Sequence, residues 1–206
     1  DLESIEKINE RMAEIRELGI KLKGIHFHCG SGQHGSSGFK KAILFARTCM
    51  KIGREYGHAM NLLDVGGGFP SADLTEQTIN ALQITRDDPL GYEVIAEPGR
   101  HFSSYTCYLL TRVLGKRVKN GKPCYHLNES LYHSFTCHLM DSVSFENQEQ
   151  FYSKVDIKTE EPSGIFETEN STLFGMTCDG LDIITKNIGV PSDLKVGDWL
   201  CIGGMG

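Results

Sequence analysis

Apolar residues at Leu2, Ile5, Ile8, Met12, Ile15 and Leu18 recur in steps of three and four, so residues 2–18 are expected to form an amphipathic helix. The pattern then shortens to a strand, KLKGIHFHCGSG (21–32), that runs into a glycine-bearing loop. Helical spacing returns over residues 39–57. NLLDVGGGFP (61–70) repeats strand and glycine loop, residues 73–83 read as helix, and YEVIAEPGR (92–100) gives strand and loop a third time. Alternation of this kind, with chemistry-bearing residues at the C-terminal ends of strands, is the pattern of an α/β barrel or doubly wound sheet. If the strands are parallel neighbours, the GSG, GGG and EPG loops converge on one face.

Beyond about residue 105 the pattern changes. YTCYLLTRVLGKRV, KPCYHLN, SFTCHLMD, FYSKVDIKT and DWLCIG are strand-like runs rich in Val, Tyr, Phe and Thr. Residues 158–172 read as an exposed loop or sheet edge. The expected organisation is α/β over residues 1–105 and a separate all-β domain over 106–206. Three strand–helix units do not close an eight-stranded barrel, which takes roughly 200–250 residues. The α/β part is therefore expected to be a portion of a (β/α)8 TIM-like barrel, and the chain a piece of a longer polypeptide.

Composition alters this little: 39% of residues are hydrophobic, 23% are charged, and the net charge is −6. The negative balance argues against nucleic acid or an anionic membrane surface as partner. No apolar run approaches the ~20 residues that span a bilayer. Seven cysteines without a C-x-x-C pair fit neither a zinc ribbon nor a disulfide framework, so a reducing, cytoplasmic setting is expected.

The candidate chemistry sits on the loops. Glycine permits close backbone approach to a phosphate, and Gly66–Gly68, Gly99 with Arg100, and Ser31 together make a candidate cradle. Taken singly, each loop is better explained by a tight turn, and three at equivalent strand ends shift the balance. Glu97 ends an apolar strand and needs a partner, either Arg100 or the protonated nitrogen of a heterocycle. His26 and His28 form H-x-H, which on a strand would turn both rings to one face as in barrel zinc hydrolases. His28 packed flat in the loop mouth is the preferred alternative, and no metal is expected. In the β part, Asp141 follows an apolar run, and TCDGLD places Cys178 and Asp179 at an Asp-Gly turn. Two carboxylates suit a cationic substrate end, and a thiol can move a proton. For C-D-G taken alone, a plain hairpin corner is the better explanation.

Seven segments in order, HFHCGSG (26–32), LLDVGGGFP (62–70), AEPGR (96–100), YHLNESLYHSF (125–135), CHLMD (137–141), GMTCDGLD (175–182) and VGDWLCIGGMG (196–206), resemble the eukaryotic ornithine decarboxylase family of pyridoxal-phosphate enzymes, whose barrel is alanine-racemase-like. The resemblance implies that His28 stacks on the cofactor ring. It implies that Ser31, Gly68, Pro98, Gly99 and Arg100 bind the cofactor, mostly through its phosphate, and that Glu97 meets the ring nitrogen. Cys178 would return a proton to the carbon that has lost CO2, and Asp141 and Asp179 would hold the distal ammonium of L-ornithine. A homodimer with shared active sites and an antizyme-like regulatory protein are the implied partners. The cofactor-attaching lysine belongs to a preceding segment of the family pattern, and Met140 stands where animal enzymes carry tyrosine. The expected activity is decarboxylation of ornithine to putrescine. A lysine or arginine decarboxylase and a catalytically inactive regulatory relative are the alternatives.

Overall fold

The computed structural model describes residues 2–31, 36–71, 76–86, 88–140, 153–156, 161–162 and 167–206. The chain divides into two compact units, the first ending at His101 and the second beginning at Phe102.

In the first unit α1 (Leu2–Glu17), α2 (Ser36–Glu55) and α3 (Glu76–Gln83) alternate with β1 (Gly24–His26), β2 (Leu62–Asp64) and β3 (Glu93–Ile95). The strands form a parallel sheet in the order β1–β2–β3, with His26 opposite Asp64 and Asp64 opposite Ile95. Parallel neighbours need crossover connections, and α2 and α3 supply them. The buried side of α2 carries Phe39, Ile43, Ala46 and Met50, steps of four, three and four that keep one stripe facing inward. That stripe packs with Met12 of α1, Ala81 of α3, and Leu63 and Val65 of the sheet. Because all three strands run the same way, residues 27–31, 65–71 and 96–99 leave from one edge of the sheet, as the glycine-loop pattern leads one to expect.

The second unit follows α4 (Gly99–Ser103) and a 3-10 turn (Ser104–Thr106). It contains β4 (Leu109–Lys119), β5 (Lys122–Leu127), α5 (Thr136–Met140), β6 (Ser153–Asp156), β7 (Glu161–Pro162), β8 (Thr168–Phe174), β9 (Ile183–Pro191) and β10 (Trp199–Ile202). These strands form one sheet in the order β7–β6–β10–β4–β5–β8–β9. Every neighbouring pair is antiparallel except β5–β8, which is parallel. Alternation decides the core: Thr111 and Val113 of β4 are buried, whereas Leu110, Arg112 and Leu114 between and beside them are exposed. Tyr125, Leu127, Leu131, Phe135, Leu173, Ile184, Val190, Leu194, Leu200 and Ile202 complete the buried cluster.

Two expectations are corrected. SFTCHLMD is not a strand, since Thr136–Met140 form the one-turn helix α5. The bonds His133 N–H to Ser130 O (3.1 Å), Thr136 N–H to His133 O (3.1 Å) and His138 N–H to Phe135 O (3.0 Å) wind the segment tightly. Leu131 and Phe135, four apart, are both buried, and this helical spacing outweighs the strand preferences of Thr, Cys and Phe. The stretch 158–172 is also not wholly loop or edge. Its residues 168–172 belong to β8, which lies between β5 and β9. There Ser171 is fully buried and its hydroxyl donates to Glu169 O at 3.2 Å, so a polar-looking strand is accommodated inside the sheet. Glu161 and Pro162 do form the sheet edge, where a residue without an N–H is tolerated. The strand β9 has no counterpart in the sequence reading. Among the described residues, no helix is long and apolar enough to cross a membrane.

Equal substitutions separate the two faces of the second sheet. Leu173→Ala, at a fully buried position, is expected to cost about 2–5 kcal/mol. Leu114→Ala, at a position 50% exposed, should stay within about 0.5 kcal/mol of the parent. Denaturant unfolding followed by circular dichroism measures both; equal losses would contradict the assigned face.

Candidate active site

At the strand ends of the first unit, backbone bonds carry the ladder beyond the strands themselves. Phe27 N–H donates to Asp64 O (3.2 Å), Val65 N–H to Ile95 O (3.0 Å) and Glu97 N–H to Gly66 O (2.9 Å). The three loops are thereby tied into one surface. Asp64 turns back on its own loop, its Oδ1 accepting from Gly66 N–H at 2.8 Å.

The glycines are spatial requirements here. Gly66 has φ of +66°, and a Cβ on it would lie 2.0 Å from Phe27 O. A Cβ on Gly67 would lie 2.8 Å from Cε1 of the His28 ring and 3.1 Å from Glu97 O. The space thus kept free lets Gly67 N–H donate to His28 Nδ1 at 3.2 Å. Nδ1 is then an acceptor, so the proton of the neutral ring sits on Nε2. His28, Gly67 and Glu97, one from each loop, meet at a single point, with both His28 and Glu97 exposed. Sequence reasoning grouped the three glycines without distinguishing Gly67, whose role depends on a ring 39 residues away.

Ser31 lies in the turn after β1, Gly68 on the β2 loop, and Pro98, Gly99 and Arg100 at the entry to α4. Each strand-end loop therefore carries residues expected for the phosphate cradle. For Glu97 the ion-pair neighbour is His26, whose Nε2 lies 3.5 Å from Oε2. The two rings of H-x-H take different partners, His26 facing the Glu97 carboxylate and His28 accepting from Gly67 N–H. Among the described residues, the metal-type donors that gather there are His26, Asp64 and Glu97, all within 4.8 Å of one another.

In the second unit, residues 175–182 connect β8 to β9. Asp182 N–H donates to Asp179 O (3.1 Å) and Leu181 N–H to Asp179 Oδ1 (2.9 Å), so the Asp-Gly signal does mark a tight turn. Cys178 and Asp179 are exposed on it. Asp179 accepts from the Tyr132 hydroxyl at 2.6 Å. That bond, with the Leu181 N–H, holds the Asp179 carboxyl below the usual carboxylate range, and it pushes the Tyr132 phenol up. Asp141 lies outside the described residues; its neighbour Met140 closes α5 and is exposed.

The anchor of this turn is a residue without a predicted role. Asp182 is 1% exposed and accepts from Ser130 Oγ (3.0 Å), Leu131 N–H (2.9 Å), Thr177 N–H (3.1 Å) and Thr177 Oγ1 (2.7 Å). Burial alone would raise its pKa, but the donors from Thr177, Leu131 and Ser130 prevail and hold it below the usual range. A Cβ on Gly175 would lie 2.1 Å from both carboxylate oxygens, so the glycine opening GMTCDGLD makes room for the carboxylate closing it. Tyr132, Ser130 and Leu131 all come from YHLNESLYHSF. Two of the recognised segments thus form one local structure.

The first half of the chain, residues 2–104, matches the family model described as "pyridoxal-dependent decarboxylase, pyridoxal binding domain". The chain belongs to the pyridoxal-dependent decarboxylase family. Ornithine decarboxylase of Saccharomyces cerevisiae is 32% identical over 219 residues, covering 98% of this chain and 47% of that protein. The Cricetulus griseus enzyme is 30% identical, covering 93% and 44%. Among solved structures, the arginine decarboxylase of Paramecium bursaria Chlorella virus bound to agmatine superposes with a TM-score of 0.80 at 28% identity, covering 98% of this chain and 53% of that one. The Vibrio vulnificus lysine/ornithine decarboxylase complexed with cadaverine gives 0.78 at 27%, covering 98% and 54%. The chain thus spans about half the length of the relatives it matches. The strand-end loops fit a pyridoxal cofactor: a Cβ on Gly66 or Gly67 would collide with the neighbouring loop, the His28 ring is held by Gly67 N–H, and the Glu97 carboxylate on the third loop is exposed.

Asp182→Ala is expected to destabilise the second unit by on the order of 2 kcal/mol at pH 7, because it strands buried N–H and O–H donors. Asp182 has a depressed folded pKa, so its contribution is present above the unfolded aspartate value of about 3.9 and is lost as pH falls through the lower folded value. The gap between wild type and Asp182→Ala should therefore narrow below about pH 4. Denaturant midpoints measured across pH 3–7 test this, and a constant gap would count against it.

Proposed function

We propose that this chain carries cofactor-binding and proton-donating parts of a pyridoxal-phosphate-dependent decarboxylase that converts L-ornithine to putrescine. The observation that carries the reading is the meeting of His28, Gly67 and Glu97 at the strand ends. Bound pyridoxal phosphate supplies the electron sink that makes loss of CO2 from an amino acid feasible. His28, held by Gly67 N–H, lays its ring against the cofactor face. Glu97 accepts a hydrogen bond from the ring nitrogen and favours its protonated form. Ser31, Gly68, Gly99 and Arg100, with Pro98 shaping the turn, hold the phosphate through backbone N–H groups, a hydroxyl and a guanidinium.

The turn of the second unit supplies the substrate chemistry. Cys178 gives a proton to the substrate carbon that has lost CO2. Asp179, kept ionised by Tyr132, holds the distal ammonium together with Asp141. The exposure of Cys178 and Asp179 suits a turn that enters the active site of a second copy, so the working form is a homodimer with shared sites. A cytoplasmic setting, a part in polyamine synthesis, a barrel completed by further strands, and an antizyme-like regulatory partner accompany this reading.

Lysine or arginine is the alternative substrate, favoured by the solved relatives that act on those amino acids. One methylene separates ornithine from lysine and is worth only ~1–3 kcal/mol of discrimination. A regulatory protein that binds without catalysis has no use for an exposed Cys178 beside an ionised Asp179.

Full-length protein supplied with pyridoxal phosphate should release CO2 from ornithine faster than from lysine or arginine; release from none of them overturns the proposal. Cys178→Ala should bind the cofactor normally while losing on the order of 10²-fold or more in diamine formation. Parental turnover by that variant would remove Cys178 from the mechanism.

A further inference from the structure

We propose that His26 is a positioning residue for Glu97, aiming that carboxylate so that its free oxygen meets the cofactor's ring nitrogen. This rests on the cofactor reading above. His26 ends β1 opposite Asp64, and the sheet register places both beside the loop that carries Glu97. The donor atoms of all three lie within 4.8 Å of one another.

The two carboxylates are not equivalent. Asp64 is turned into its own loop by Gly66 N–H at 2.8 Å. Glu97 is attached to an exposed side chain, 58% accessible, and His26 Nε2 stands 3.5 Å from its Oε2. A carboxylate only accepts, so the useful tautomer of His26 carries its proton on Nε2. That N–H engages Oε2 and leaves Oε1 for the cofactor. The contact is long for a hydrogen bond, and free side chains close such a gap when a ligand draws the carboxylate into place.

The test uses the full-length protein with pyridoxal phosphate as the probe, comparing wild type, His26→Leu, His26→Gln and Glu97→Ala. Cofactor affinity is read by fluorescence titration, and the state of the bound ring by its absorption bands. His26→Leu removes the donor with little change of bulk and should weaken cofactor binding about tenfold while altering the balance of absorption bands. His26→Gln retains a neutral N–H at similar reach and should restore both. His26 is 55% exposed, so both variants should unfold at the wild-type temperature. If His26→Leu matches wild type while Glu97→Ala is impaired, the inference falls and the cofactor reading stands. If both match wild type, the role of Glu97 falls with it. If Gln fails as badly as Leu, His26 is not acting as a donor.

Discussion

The close approach of one backbone to its neighbour at the end of a parallel sheet is the constraint on which the first unit's chemistry depends. A Cβ on Gly66 would lie 2.0 Å from Phe27 O, and one on Gly67 would lie 2.8 Å from the His28 ring. Loops packed this tightly have few arrangements open to them. The cross-loop bonds from Phe27, Val65 and Glu97 fix which arrangement is taken. His28 and Glu97 stay exposed while their backbones are held.

A buried carboxylate plays the corresponding part in the second unit. Asp182 collects four donors from two segments, and the turn bearing Cys178 and Asp179 hangs from it. The cost of burying a charge is offset because every bond goes to the charged form. Asp179, on the same turn, is left outside with Tyr132 as its partner. The two aspartates of TCDGLD therefore differ: the inner one builds the turn and the outer one stays exposed on it.

Much of the fold was legible along the chain. The helical steps of α1 and α2, the three strand-to-glycine transitions and the alternation in β4 all express one-sided burial, which repeats at a fixed period. Strands β8 and β9 were not legible, because TENST carries polar residues into a sheet interior where Ser171 and Thr172 satisfy themselves on nearby carbonyls. Nor was α5, whose helical spacing at Leu131 and Phe135 starts before the turn it stabilises. His26 and His28 looked like a pair only on the assumption that the strand continues past His26.

What the sequence alone determined is the kind of protein: a parallel α/β unit with glycine loops at its strand ends, a β-rich unit after it, and seven segments in a recognisable family order. What only the tertiary structure decided is which residues serve each other. Gly67 and His28 are 39 residues apart, and Ser130 and Asp182 are 52 apart. Periodicity records how a residue sits relative to its own element. Sheet register and loop approach set the distances between elements, and it is those distances that make His26 a neighbour of Glu97 and Asp182 the anchor of the turn that carries Cys178.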